Sequence, residues 1–78
     1  MTPLKHARKK RKWRLSDVCD RVNEIGRRLD TGNLSRIERG KQTPSPEMAE
    51  SLAKVFMEDG LSEMQIISPE RYQIEATQ

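Results

Sequence analysis

Apolar positions in this chain recur at helical spacing, and no alternation of period two lasts long enough to predict a strand. The clearest run is Leu15, Val18, Cys19, Val22 and Ile25, at i, i+3, i+4, i+7 and i+10, which predicts a helix with one apolar face ended by Gly26. Before it, Thr2 as N-cap and Pro3 at the first helical position open a helix whose inward face is Leu4, Ala7 and Arg8, with Trp13 just beyond. Further on, Ser45-Pro46-Glu47 starts a helix with a broad stripe of Met48, Ala49, Leu52, Ala53, Val55 and Phe56, and Gly60 is its expected stop. A short fifth helix is expected from Ser62 to about Ile67, ended by Pro69. The expectation is an all-α, compact five-helix bundle over residues 1–68, with residues 69–78 a C-terminal tail or short strand.

The third helix differs from the other four. Asp30 can accept the orphan N–H groups of Gly32 or Asn33, Leu34 and Ile37 lie three apart on one face, and Gly40 supplies a left-handed stop. Only two residues anchor it. The opposite face carries Thr31, Asn33, Ser35, Arg36 and Arg39, groups able to donate to base edges and phosphates, while Gly32 removes a side chain where the helix N-terminus can approach a phosphate closely.

Charge distribution points the same way. Net charge is +3 over 78 residues, but residues 1–43 hold 13 Lys/Arg against 5 Asp/Glu (+8), and residues 44–78 hold 2 against 7 (−5). The densest basic run is Lys5, Arg8, Lys9, Lys10, Arg11, Lys12 and Arg14, with no acid before Asp17. Such a run suits a polyanion and implies strongly salt-dependent binding through counterion release. Beside it, a chain with 33% hydrophobic and 35% charged residues has little apolar surface to spare, so the few core positions must be well placed.

The string Leu34-Ser35-Arg36-Ile37-Glu38-Arg39-Gly40 resembles the recognition helix of the Cro/C1-type (XRE-like) helix-turn-helix regulators. Leu4, Ala7, Arg8 and Trp13, then Val18-Cys19, are similar to that family's first two helices, and Pro44, Pro46, Met48, Ala49, Leu52, Ala53 and Phe56 to its fourth, so the resemblance spans about residues 3–67. It implies a lambda-repressor-like domain in which helix 2 crosses the DNA backbone and helix 3 enters the major groove. Carried over by position, Thr31, Gly32, Ser35 and Arg36 face base edges, with Arg36 reading guanine through O6 and N7, and Asn33 at the side of the helix reaches adenine or a phosphate. Arg39, Lys41, Gln42 and Thr43, with Lys12 and Arg14 before helix 2, suit the backbone. In the family a basic residue of helix 1 pairs with an acidic one of helix 3. The matching residues are Arg8 and Glu38, implying a partly buried ion pair.

The chain departs from the family pattern between Cys19 and Leu34, where it has about five residues more than the usual spacing, and Arg28 stands where the turn glycine is expected. A lengthened helix 2 or a looser turn follows, with Arg27 and Arg28 as added candidates for phosphate contact. Arg14 and Leu15 stand where the family prefers a capping hydroxyl and a polar residue, and Cys19 where alanine is usual.

Other chemistry finds little support. One His, one Cys, no glycine-rich phosphate loop and no ligand-spaced acidic cluster give no catalytic or metal constellation. Cys19 reads as a small buried thiol, Trp13 as core, and Met48, Met57 and Met64 as core or dimer filler. No cofactor and no small-molecule ligand are expected. The lone cysteine, the absence of an apolar opening segment and the absence of a membrane-length apolar run imply a soluble, reducing, intracellular setting, which the family resemblance makes a bacterial cytoplasm or nucleoid.

The reading is a sequence-specific, double-stranded-DNA-binding transcriptional regulator, a Cro/C1-type repressor of bacterial or phage type and not an enzyme. The alternative is an antitoxin that represses its own operon and neutralises a protein toxin through its acidic half. One recognition helix reads few base pairs, so two copies on a palindromic operator are expected. Met57, Leu61, Met64, Ile66, Ile67, Tyr72 and Ile74 are the apolar residues left over to join them as a homodimer through residues 57–74.

Overall fold

A computed structural model describes residues 1–71. Five α-helices follow one another among these residues: α1 (Pro3–Lys10), α2 (Leu15–Ile25), α3 (Thr31–Glu38), α4 (Pro46–Val55) and α5 (Glu63–Ile67), with single 3₁₀ turns at Met57–Asp59 and Pro69–Arg71. Their starts are set by capping side chains. Thr2, Asp30, Ser45 and Ser62 each accept the backbone N–H three residues on, and Pro3 and Pro46 occupy first-turn positions where the missing N–H costs nothing.

Three successive helices stop in one manner. The left-handed residue donates to the carbonyl three back and the next residue to the carbonyl five back: Lys12 and Trp13 after α1, Gly26 and Arg27 after α2, Gly40 and Lys41 after α3. In two of these the left-handed residue is glycine. In the first it is Lys12, with φ +60, the one non-glycine residue among those described with positive φ.

The core lies where α1, α2, α3, α4 and α5 converge. Phe56, Leu4, Leu34, Leu52, Ile66, Val18 and Val22 are its largest fully buried side chains, and Trp13 leans on Phe56 with ring centroids 5.4 Å apart at 48°. The buried acid Glu38 and the buried Thr2 are both hydrogen-bonded, and among the described residues no buried side-chain polar atom lacks a partner.

The structure corrects three of the sequence expectations. Ile25 is 44% exposed, because the apolar period of α2 runs one turn past the core before Gly26 ends the helix. Helix α4 ends at Val55, not at Gly60. Phe56 caps it, a 3₁₀ turn intervenes, and Gly60, left-handed at φ +71, closes that turn. Leu61 and Ile66, 7% and 1% exposed, belong to the core, since the reversal at Gly60 lays α5 against α1 and α4. They are therefore unavailable to a dimer surface. Residues Pro69–Arg71 form a 3₁₀ turn, and the rest of the expected tail or short strand, with Tyr72 and Ile74, lies outside the described residues.

Candidate nucleic-acid interface

Helix α3 is held from beneath at both ends. At its start, Asp30 Oδ1 accepts the Asn33 N–H at 2.7 Å, and Leu29, 7% exposed, plugs the core just before the cap. At its end, the buried Glu38 carboxylate receives a two-pronged contact from Arg8, Nε to Oε2 at 2.6 Å and Nη2 to Oε1 at 3.0 Å, while Thr2 Oγ1 donates to the Glu38 carbonyl at 2.5 Å. Arg8 Nη1 also donates to the Trp13 carbonyl at 2.9 Å. One guanidinium thus ties α1, the turn after it and the end of α3 together. Planar two-pronged pairing of this kind is among the stronger polar contacts, and side-chain exposures of 12% and 3% limit screening by water.

The link between α2 and α3 absorbs the extra residues without hanging loose. The last turn of α2 runs to Ile25, and Gly26 takes the left-handed position at φ +103, so the turn glycine is Gly26 and Arg28 is free of that duty. Asn23 Oδ1 accepts the Leu29 N–H at 3.2 Å across the turn. Neither Asn23 nor Leu29 stands out in the sequence, where both sit in a polar stretch. The available signal is a lone Leu immediately before an Asp cap.

With its underside fixed, α3 turns Thr31, Gly32, Arg36 and Arg39 outward, with Asn33 and Ser35 half-buried beside them. Of the residues singled out in the sequence, the structure joins Asn33, Arg36 and Gln42 by hydrogen bonds, whereas no observed contact joins Lys12 or Arg14 to them. Arg36 Nε donates to Gln42 Oε1 at 3.0 Å and its Nη2 to Asn33 Oδ1 at 2.7 Å; Asn33 Nδ2 donates to Asp30 Oδ2 at 3.0 Å. Arg39 folds back, Nε to the Ser35 carbonyl at 3.3 Å. Two open clefts flank the helix. One is lined by Asn23, Gly26, Arg27, Arg28, Leu29, Asp30 and Asn33, the other by residues that include Arg28, Gln42, Thr43 and Ser45.

Gly32 is informative because the fold has no need of it. It lies in the first turn of α3 with φ outside the left-handed region, and a Cβ built there would meet Asp30 Oδ1 at 3.4 Å and Arg36 Nη1 at 3.8 Å, both ordinary contacts. Its bare Cα leaves open the space in front of the helix N-terminus.

The basic run divides by role. Arg8 serves the Glu38 pair, and Arg11 reaches Asp59 at 2.6 Å and Glu58 at 3.8 Å, which raises its pKa chiefly through the Asp59 hydrogen bond. The guanidinium groups of Arg21 and Arg11 both lie over the Trp13 ring, 4.0 and 5.1 Å from its centroid. Arg14 caps α2, its backbone N–H donating to Asp17 Oδ2 at 2.8 Å, and that bond holds the Asp17 pKa below its ordinary value. The exposed Lys12, Arg27, Arg28 and Lys41 take no part in any ion pair among the described residues. Cys19 is buried and its thiol pKa is pushed up by burial, so it is poorly suited to act as a nucleophile.

Among the described residues there is no cluster of His, Cys, Asp and Glu fit to hold a metal ion, and no helix long and apolar enough to cross a membrane. No curated protein and no solved structure matches the chain. A family model described as helix-turn-helix matches residues 4–56, from the first core leucine of α1 to the phenylalanine that caps α4. With the helical fold, the supported α3 and its outward polar face, that match covers more than half of the 78 residues. The chain belongs to the helix-turn-helix family of the Cro/C1 (XRE) type and is a DNA-binding transcription regulator.

Proposed function

We propose that this regulator is a repressor that recognises its operator by laying α3 in the major groove. The observation that carries the reading is the division of α3 into an inner face locked by Leu34, Ile37 and Glu38 and an outer face of short polar groups, a bare glycine and Arg36. Thr31, Ser35 and Arg36 address base edges, and Gly32 allows the groove floor or a phosphate to come close. Asn33 and Gln42 flank Arg36 on the same surface. Lys12, Arg14, Arg27, Arg28, Arg39, Lys41 and Thr43 take the phosphates of the two strands in this reading.

A single short helix reads only a few base pairs, so useful specificity requires two copies about one helical turn apart. Met57, 73% exposed, and Met64, 52% exposed, with half-buried Ile67, form the apolar surface available for a two-fold dimer, weak in solution and completed on a palindromic operator. Selection from random duplex DNA tests both parts. The expected outcome is an inverted repeat with half-site centres about one turn apart, bound more tightly than an isolated half-site. Recovery of a single asymmetric half-site, bound as tightly as any longer site, overturns the dimer. Recovery of no consensus overturns sequence-specific reading. An antitoxin is distinguished by a stable complex with the product of a co-transcribed neighbouring gene, which a plain repressor does not form.

A further inference from the structure

The outer face of α3 carries a continuous relay, Asp30 to Asn33 to Arg36 to Gln42, closed by bonds of 3.0, 2.7 and 3.0 Å. Its polarity is fixed by chemistry. A guanidinium only donates and a carboxylate only accepts, so Asn33 must turn Oδ1 to Arg36 and Nδ2 to Asp30, and Gln42 must turn Oε1 to Arg36. Both ends of the Asn33 side chain are therefore engaged within the protein. In Arg36, Nε and one N–H of Nη2 are engaged, which leaves Nη1 and the second N–H of Nη2 as an outward fork. Gly32 stands beside that fork, its missing side chain keeping the space near Nη1 open.

We propose that Asn33 and Gln42 are positioning residues that brace Arg36 before DNA arrives, so that its Nη1–Nη2 edge meets O6 and N7 of a guanine. This deepens, and rests on, the base-reading role given to Arg36 above. An exposed arginine is otherwise a long chain with many rotamers, and ordering it on binding costs affinity. The brace imposes that order in the free protein and also selects which edge of the guanidinium faces the groove. In this arrangement Asn33 reads no adenine and Gln42 holds no phosphate; each acts on the operator through Arg36.

The test uses Asn33→Ala and Gln42→Met, the latter removing the acceptor at nearly constant shape, alone and combined with Arg36→Ala. In the free protein, the Arg36 Nε–H is expected to exchange with water more slowly than those of Arg27 and Arg28, and to lose that protection in Gln42→Met. On the selected operator, each single variant is expected to lose about fivefold of the preference for guanine over other bases at one position, with no further change once Arg36 is alanine. Loss of discrimination at a second base pair in Asn33→Ala makes Asn33 a reader in its own right. An equal loss on operator and random DNA in Gln42→Met makes Gln42 a phosphate ligand. Either result overturns the proposal, as does fast exchange of the wild-type Nε–H, which leaves base reading by Arg36 standing. If Arg36→Ala itself keeps full discrimination, base reading fails whatever the exchange rates show, and the purpose of the brace fails with it.

Discussion

The two faces of α3 carry similar polar groups under opposite conditions. Inward, Glu38 is 3% exposed and its carboxylate is matched by two donors of Arg8, so the contact fixes where the helix sits and has nothing left to offer a ligand. Outward, Arg36 is exposed, its bonds go to neighbours on the same surface, and donors remain unengaged. The inner face also lacks any residue that fits the fold badly. The outer side includes Gly32, which the fold does not require; in the turn after α1, Lys12 likewise occupies a left-handed slot filled by glycine after α2 and α3. Residues that local structure would replace, in an otherwise consistent small domain, mark positions at which something other than folding set the sequence.

Glu38→Ala leaves Arg8 charged and half-enclosed, and is expected to destabilise the fold by about 3–5 kcal/mol, enough to unfold most of so small a domain at physiological temperature. Denaturant unfolding read by Trp13 fluorescence checks it, and a loss below about 1 kcal/mol would place the pair among ordinary surface contacts.

Lys12→Gly sharpens the contrast from the other side. It relieves the left-handed backbone at φ +60 and is expected to raise stability by up to about 1 kcal/mol while weakening DNA binding. A gain in stability with unchanged affinity would remove Lys12 from the interface. Gly32→Ala is expected to stabilise by about 0.5 kcal/mol, since the Cβ fits and alanine favours the helix, yet to weaken operator binding by filling the space before the Arg36 fork. Thermal melting and operator titration on the same preparation separate the two effects. Lys41→Ala, exposed and without an ion-pair partner, is expected to leave stability unchanged and to reduce the slope of log affinity against log salt by about one, equally on operator and random DNA.

The fold was largely legible because its elements begin and end on residues with a local mechanism. Thr2, Asp30, Ser45 and Ser62 cap in the structure through the hydrogen bonds their side chains can make within one turn, and Gly26 and Gly40 stop helices because they tolerate positive φ. What was not legible depended on distance. Ile25 continues the period of α2 but outruns the core, and Leu61 and Ile66 look like spare apolar residues until the chain reverses at Gly60 and packs them beneath α1 and α4. The outer face of α3 was visible as a set of residues through the string from Leu34 to Gly40, together with the cap and glycine before it. The relay within it was not, because Gln42 lies beyond the end of the helix and only the course of the chain after Gly40 brings its amide to Arg36. The spacing of Asp30, Asn33 and Arg36, each three apart, was the part of that signal present in the sequence.

We propose that the inner face of α3 builds the fold while its outer face reads base sequence. It is tested most directly by titrating wild type and Arg36→Ala against the selected operator and a scrambled duplex at several salt concentrations, with melting temperatures measured alongside. The expected result is an unchanged melting temperature, a loss of about 1–3 kcal/mol on the operator, a much smaller loss on scrambled DNA, and relaxed preference at one base pair. Equal losses on both duplexes would make Arg36 a phosphate contact, and a lowered melting temperature would make it part of the scaffold; either result contradicts the division of α3 into a structural and a reading face.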